Sequence, residues 1–167
     1  MKKEIAIVYM VAGLSSRFGG KIKQFAKVGP NNETLIEYSI NQALPAGFTK
    51  IVFIVGNLTE KPFKEKFGNS YNGIPIIYVL QSFNPETRDR PWGTTDALCS
   101  ISGVLDCPFV ICNGDDIYGK IVLKFLQNTL KKRNLRQLWV TSSVKLFQKQ
   151  EKLTEGYFRL RIVMFKI

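Results

Sequence analysis

Histidine is absent from this sequence of 167 residues, and its absence narrows the chemistry that the chain can perform. Without histidine there is no Ser–His triad, no imidazole base and no histidine metal ligand, so carboxylates, lysines and arginines must carry any catalysis. Cysteine is scarce, since Cys99, Cys107 and Cys112 are the three present, without Cys-x-x-Cys spacing. This pattern favours neither a disulfide scaffold nor a zinc ribbon. We interpret the cysteines as small core residues of a cytoplasmic protein.

Long apolar runs are also missing. None reaches the roughly 18 residues that a membrane-spanning helix requires. The first residues, Met1-Lys2-Lys3-Glu4, lead directly into a strand-like run and offer no cleavable small-residue site, so we expect neither a membrane span nor a secretory signal. At 45% hydrophobic residues, the chain has the composition of one ordinary domain with a real core.

Strand-like and helix-like segments alternate along most of the chain. Apolar runs predict buried strands at 5–11, 51–55, 74–80 and 109–112. Apolar residues at helical spacing predict helices at 34–44, 61–67, 94–104 and 121–132. The alternation predicts an α/β, Rossmann-like fold with a doubly wound, mostly parallel sheet. In such sheets, ligands bind beyond the carboxyl ends of the strands.

A loop of small residues follows the first strand-like run. Gly and Ser side chains let phosphate oxygens approach the backbone N–H groups, and two basic residues would add cationic donors. A flexible strand-to-helix turn is the alternative interpretation, and the basic residues favour phosphate binding. The Walker and dinucleotide-binding glycine patterns are both absent. The candidate phosphate-binding residues are Ala12, Gly13, Ser15, Ser16, Arg17 and Lys23.

Two adjacent carboxylates, Asp115 and Asp116, follow the last predicted strand. Such a pair suits a hard cation such as Mg²⁺, which proteins hold with one or two carboxylates plus substrate phosphates. An Asx-rich turn that caps the helix after Gly119 is the alternative. Because the predicted phosphate loop would share this sheet edge, we favour a magnesium site.

These motifs resemble those of the sugar-phosphate nucleotidylyltransferases, and more closely those of the NDP-sugar pyrophosphorylase-like nucleotidyltransferases. The resemblance is carried by Arg17-Phe18-Gly19-Gly20, Lys23-Gln24, Val28-Gly29-Pro30, Glu33-Thr34-Leu35 and Gly114-Asp115-Asp116. One departure is Ser15, which stands where the family usually has its second glycine. The resemblance implies a nucleotide-diphospho-sugar transferase-like fold. It also implies transfer of a nucleoside monophosphate from a nucleoside triphosphate to a sugar 1-phosphate, with release of pyrophosphate.

The same resemblance implies residue roles. Arg17 would neutralise the leaving pyrophosphate, Lys23 the attacking phosphate and the α-phosphate, and Asp115 would hold Mg²⁺. Asp116 would have a supporting or sugar-side role.

Base recognition is implied at a second segment. Gln81 matches the family's base-reading glutamine, and Gly93-Thr94 matches a segment that borders the base. An amide presents a donor and an acceptor together, which fits a pyrimidine edge. Without the resemblance, Gln81 would be taken for a surface residue and Gly93-Thr94 for a helix N-terminus. Asp96 stands where relatives often carry His or Gln, so we assign it no contact.

The end of the chain has a different composition. Residues 120–167 carry 12 of the 24 Lys and Arg residues but 2 of the 13 Asp and Glu residues, mixed with bulky apolar side chains. Shifting the reading frame back by one nucleotide from Leu138 permits the peptide IMGYKLGKTLPETGKVNRGIFQVKN, which resembles the family's continuation. We therefore expect a truncated nucleotidyltransferase core at 1–136, the N-terminal half, and an out-of-frame tail at 137–167.

Two functions remain open from the sequence. One is a sugar-phosphate nucleotidylyltransferase, either active or inactive because it is truncated. The other is a basic nucleic-acid-binding protein on an α/β scaffold, suggested by the tail and a pI near 9.7. We favour the first, because the sequence contains no RNA-reading motif and no interleaved base-stacking aromatics.

Overall fold

The sheet forms the centre of the protein. The computed structural model describes residues 4–13, 19–84, 86, 92–133, 137–142 and 160–164. The strands are β1 (Ala6–Met10), β2 (Lys50–Val55), β3 (Ser70–Tyr71), β4 (Ile74–Leu80), β5 (Phe109–Asn113), β6 (Gln137–Ser142) and β7 (Leu160–Met164). Their order is β3-β4-β2-β1-β5-β6-β7. The middle five strands pair in parallel, and the short β3 and the terminal β7 are antiparallel to their neighbours. The predicted mostly parallel sheet is confirmed.

Helices cover both faces of this sheet. They are α1 (Leu35–Ala43), α2 (Glu60–Phe67), α3 (Thr94–Ser100) and α4 (Lys120–Arg133). Alternate strand residues pack on opposite faces, because side chains of a strand alternate in direction. Ile7 and Tyr9 of β1 pack in the cluster that contains residues of α1, α2 and α4, whereas Ala6 and Val8 pack in the cluster that contains Ala97 of α3. The fold is therefore doubly wound.

The order of the strands creates one crevice at the carboxyl edge of the sheet. After β1 the chain moves to β2 and β4 on one side, and β5 then pairs with the other side of β1. In the parallel register, Met10 at the end of β1 lies opposite Asn113 at the end of β5. Open α/β sheets bind ligands at such a switch point. The segments after β1 and β5 thus meet where a ligand site is expected.

Several details differ from the sequence-based expectations. Cys112 is buried, but Cys99 is exposed and Cys107 half-buried, so the prediction of three core cysteines is wrong for Cys99. Cys99 lies in α3, a helix that buries Ala97 and leaves its outer face exposed. Two strands within the predicted tail, β6 and β7, extend the sheet beyond β5. In the described part of the chain, no helix is long and apolar enough to cross a membrane.

Candidate functional site

The loop after β1 approaches the end of β2 closely. A Cβ atom added at Gly56, the residue after β2, would lie 2.8 Å from the backbone oxygen of Ala12. Real Cβ atoms do not approach a carbonyl oxygen so closely, so glycine is required there. Gly13 is different, because a Cβ atom added to it would meet none of the described residues within 4 Å. The described part of the chain therefore leaves the space around the Gly13 backbone open.

The loop after β5 is anchored against β1. The N–H of Gly114 donates to the backbone oxygen of Met10 over 3.0 Å. A Cβ atom at Gly114 would lie 2.3 Å from Val11 Cγ1 and 2.8 Å from the same Met10 oxygen. Only glycine allows this approach without a shift of the backbone. The glycine of the Gly114-Asp115-Asp116 motif thus fixes both carboxylates beside the end of β1.

Lys23 and Asp115 meet directly across the site. Lys23 begins a short 3-10 helix, Lys23–Phe25, and its Nζ donates to Asp115 Oδ2 over 2.9 Å. The side chains are 39% and 41% exposed, so both charged groups remain accessible to solvent. An ion pair with this exposure contributes little to stability and can separate at low cost. The structure therefore brings together the predicted phosphate ligand and the predicted metal ligand.

Asp116 has a different environment from its neighbour. Its Oδ2 accepts a hydrogen bond from Asn113 Nδ2 over 2.8 Å, and the Tyr118 hydroxyl lies 3.5 Å away. The backbone N–H of Asn113 donates to the Tyr118 oxygen over 2.8 Å. Burial raises the pKa of Tyr118, so its hydroxyl stays protonated and can donate. Asp116 thus belongs to the hydrogen-bonded turn after β5, whereas Asp115 faces Lys23.

Gln81 is buried, with 5% of its surface exposed, so its interpretation as a surface residue is wrong. It follows β4, and its backbone N–H donates to Val55 at the end of β2, which places it at the same sheet edge. Its Nε2 donates to Gly93 O over 3.2 Å and to Asp96 Oδ2 over 2.7 Å. Thr94, exposed, begins α3 directly after Gly93. The segments that the resemblance assigns to the base are therefore in contact.

The remaining sequence-predicted site residues lie outside the described residues. They are Ser15, Ser16 and Arg17. Sequence reasoning also gave no individual role to Gln24, which is 6% exposed and packs close to Gly114. The amide oxygen of Gln24 is buried and accepts no hydrogen bond from the residues that the structure describes. Sequence reasoning also missed the hydrogen bond between Gln81 and Asp96, because no local pattern predicts a partner 15 positions earlier in the sequence.

Sequence comparison decides the family. The profile of the family described as "Nucleotidyl transferase" matches residues 20–157, most of the chain. The chain belongs to the nucleotidyl transferase family. No curated protein matches the sequence significantly.

Solved structures agree with this nucleotidyl transferase fold. UDP-glucose pyrophosphorylase in complex with UDP-glucose superposes with a TM-score of 0.62 at 20% identity, covering 96% of this chain and 69% of that chain. UDP-glucose pyrophosphorylase from Acinetobacter baumannii gives a TM-score of 0.54 at 20% identity, covering 85% and 56% of the two chains. A nucleotidyl transferase from Methanothermobacter gives 0.51 at 18% identity, covering 75% and 57%. This chain thus spans little more than half the length of the last two.

The described residues of this chain offer a limited set of metal ligands at the crevice. Asp115 presents one exposed carboxylate there, while Asp116 is engaged with Asn113. One carboxylate fits Mg²⁺ if substrate phosphates and water complete its coordination. In the described ranges, one group of three candidate ligands was found, Glu4, Asp106 and Cys107. These residues precede β1 and β5 and therefore lie at the opposite edge of the sheet.

Proposed function

We propose that this chain binds a nucleoside triphosphate with Mg²⁺ and transfers the nucleoside monophosphate to a sugar 1-phosphate, with release of pyrophosphate. The observation that supports the proposal best is the ion pair between Lys23 and Asp115, at the switch point where β5 ends beside β1 and the loop that contains Gly13 begins. Gln81 and Gly93 lie at the same carboxyl edge, beyond β4. This arrangement offers a cationic donor, a metal-binding carboxylate and a base-recognition segment along one crevice.

The transfer would proceed by in-line displacement. An oxygen of the sugar 1-phosphate attacks the α-phosphorus and forms the new P–O bond. The bond from the α-phosphorus to the bridging oxygen breaks, and the pyrophosphate leaves with its electron pair. Such reactions depend on positioning and charge neutralisation rather than on covalent participation of the protein.

Individual residues would share this work. Backbone N–H groups at Ala12 and Gly13, with the hydroxyls of Ser15 and Ser16, would hold phosphate oxygens. Lys23 would neutralise the attacking phosphate and the α-phosphate, and Arg17 the leaving pyrophosphate. Asp115 would hold Mg²⁺, which supplies charge neutralisation at the phosphates when bound. Thr94 and Gly93 would border the base.

The ion pair between Lys23 and Asp115 supports this division of charges. In the free protein the two groups neutralise each other at 2.9 Å. On binding, a phosphate would replace Asp115 as the partner of Lys23, and the cation would replace Lys23 as the partner of Asp115. Because the ion pair is exposed, separating it costs less free energy than the new charged contacts to phosphate and cation contribute.

The composition of the C-terminal tail affects the catalytic activity that we expect of this chain. We propose that residues 137–167 are read out of frame, that they add β6 and β7 to the sheet by edge pairing, and that turnover is much reduced. The apolar segment 157–165 of this tail has high β propensity, and unpaired sheet edges accept added strands. Pyrophosphate release should be near background for this chain and should rise when the frame is shifted back at Leu138. Robust turnover by the 167-residue chain would contradict the proposal.

Binding is the first test of the proposed function. Calorimetric titration with ATP, GTP, CTP and UTP, each with and without Mg²⁺, should give a saturable Mg²⁺-dependent signal for at least one of them. Lys23→Ala should weaken it by about tenfold or more, because a charged hydrogen bond to phosphate is lost. Lys21→Ala, an exposed lysine two residues earlier, is the matched control. Retention on heparin without nucleotide binding would instead support nucleic-acid binding.

A further inference from the structure

The amide of Gln81 has a defined orientation. Its nitrogen lies 2.7 Å from Asp96 Oδ2 and 3.2 Å from Gly93 O. A carbonyl oxygen and an ionised carboxylate can both accept but cannot donate. The amide atom between them must therefore be the nitrogen, and the two hydrogens of this nitrogen are both used. Asp96 and Gly93 O together remove the usual ambiguity of a glutamine side chain, and Asp96 is the closer of the two acceptors.

The oxygen of the same amide has no such partner. Among the described residues, none donates a hydrogen bond to Gln81 Oε1. Gln81 is 5% exposed, and with respect to the described residues its amide oxygen is left to accept from a bound ligand or from water. Gln81 therefore offers a ligand one acceptor and no free donor, whereas the sequence led us to expect both a donor and an acceptor.

We propose that Asp96 is a positioning residue for base selection. It holds the Gln81 amide with the nitrogen turned away, so that the oxygen is the atom presented to the base. This inference rests on the proposed nucleotide site. The site would then prefer a base whose facing ring nitrogen carries a hydrogen, as in uracil, thymine or guanine. Cytosine and adenine present an unprotonated ring nitrogen there, and two acceptors would face each other.

A purely structural role for Asp96 makes a different prediction. Asp96 lies in the first turn of α3, where a carboxylate is favoured by the helix dipole. Gly93, the N-cap of α3, has no side chain to cap the helix. Loss of such a structural contribution would lower stability, or weaken all nucleotides alike. It would not change the ratio of affinities for two bases of the same size, so this ratio is the informative quantity.

UTP and CTP provide the matched pair for the experiment. They share size, ribose and triphosphate and differ in the hydrogen at N3 and in the group at C4. Calorimetry with Mg²⁺ should show that the wild-type chain binds UTP at least about tenfold more tightly than CTP. Asp96→Asn removes the charged acceptor and introduces a side chain that can also donate. The longer bond to Gly93 O then remains as the acceptor that holds the nitrogen in place, so the orientation of the Gln81 amide is fixed less firmly. The UTP preference should then fall below about threefold.

Three further variants separate the explanations. Asp96→Glu retains an acceptor-only carboxylate and should keep a UTP preference, which also protects the test if Asp96→Asn fails to fold. Asp106→Asn removes an exposed carboxylate at the opposite sheet edge and should leave the ratio unchanged. In a Gln81→Leu background, adding Asp96→Asn should not change the ratio further, because Asp96 acts through Gln81.

The outcomes distinguish this inference from the function on which it rests. If no triphosphate binds the wild-type chain, both the proposed function and the role of Asp96 are wrong. If UTP and CTP bind equally well, nucleotide binding stands and base selection through Gln81 is wrong. If the preference survives unchanged in Asp96→Asn, or Asp96→Asn changes it equally in the Gln81→Leu background, the positioning role is contradicted.

Discussion

Gly13→Ala separates nucleotide binding from folding. A Cβ atom at this position lies more than 4 Å from every other part of the chain that the structure describes, and the φ angle of Gly13 is not in the left-handed region. Alanine is therefore tolerated in the free protein. By restricting the unfolded chain it should stabilise the fold by about 0.4–1 kcal/mol, which raises Tm by roughly 1–4 °C for a domain of this size.

The same methyl group should obstruct a phosphate. If phosphate oxygens approach the backbone N–H at Gly13, the added methyl group occupies part of that space. Loss of one hydrogen bond to a charged group costs about 1.5–3 kcal/mol, which corresponds to roughly a 10- to 150-fold weaker affinity. Calorimetry with UTP and Mg²⁺ measures the affinity, and a thermal melt of the same preparation measures Tm. Unchanged affinity with a normal Tm would refute phosphate binding at Gly13.

Three further predictions concern the loop after β5 and the packing of α1. Gly114→Ala should destabilise the fold by about 1–3 kcal/mol in urea unfolding, because its Cβ would collide with backbone; unchanged stability would contradict the close packing. Asp115→Asn should abolish the gain in UTP affinity that Mg²⁺ provides, whereas Asp116→Asn should retain it; calorimetry showing the reverse would exchange their roles. Glu37→Gln should flatten the loss of stability in acid. Burial raises the pKa of Glu37, but the interactions with Lys66 and Thr34 together outweigh burial and lower this pKa below its ordinary value. The contribution of Glu37 to stability is therefore complete above its ordinary pKa and lost as the pH falls through the lowered value. Urea unfolding at several acidic pH values measures this slope, and an unaltered slope would refute it.

Much of the architecture could be predicted from the sequence, because continuous apolar runs signal buried parallel strands. β1, β2, β4 and β5 lie within a residue or so of their predicted positions, and so do α1, α2 and α4. The structure ends α3 at Ser100, four residues before the predicted end. The next residues, 101–104, form a turn. Within it Gly103 has a φ of 76°, a conformation that a continuing helix does not adopt. The two-residue β3 lies below the length at which periodicity can be recognised.

The candidate site was predictable in part. The shared location of Gly13 and Asp115 follows from the rule for carboxyl ends of parallel strands, and the structure confirms it. The burial of Gln81 was not predictable, because it depends on α3 packing against the sheet and bringing Asp96 over it. The sequence could not show that Asp115 and Asp116 have different environments. The two residues are identical and adjacent, and it is their hydrogen-bond partners in the structure, Lys23 for Asp115 and Asn113 for Asp116, that distinguish them.

We propose that nucleotide and cation bind at the crevice between β1 and β5. The most direct measurement of this binding is a crystal structure of the chain with UTP and Mn²⁺, in which the anomalous signal locates the cation. We expect a Mn²⁺ peak coordinated by Asp115 and by phosphate oxygens, with Lys23 moved from Asp115 to a phosphate and the triphosphate beside Gly13. A peak at Glu4, Asp106 and Cys107 on the opposite edge, or a triphosphate bound away from Gly13, would contradict it.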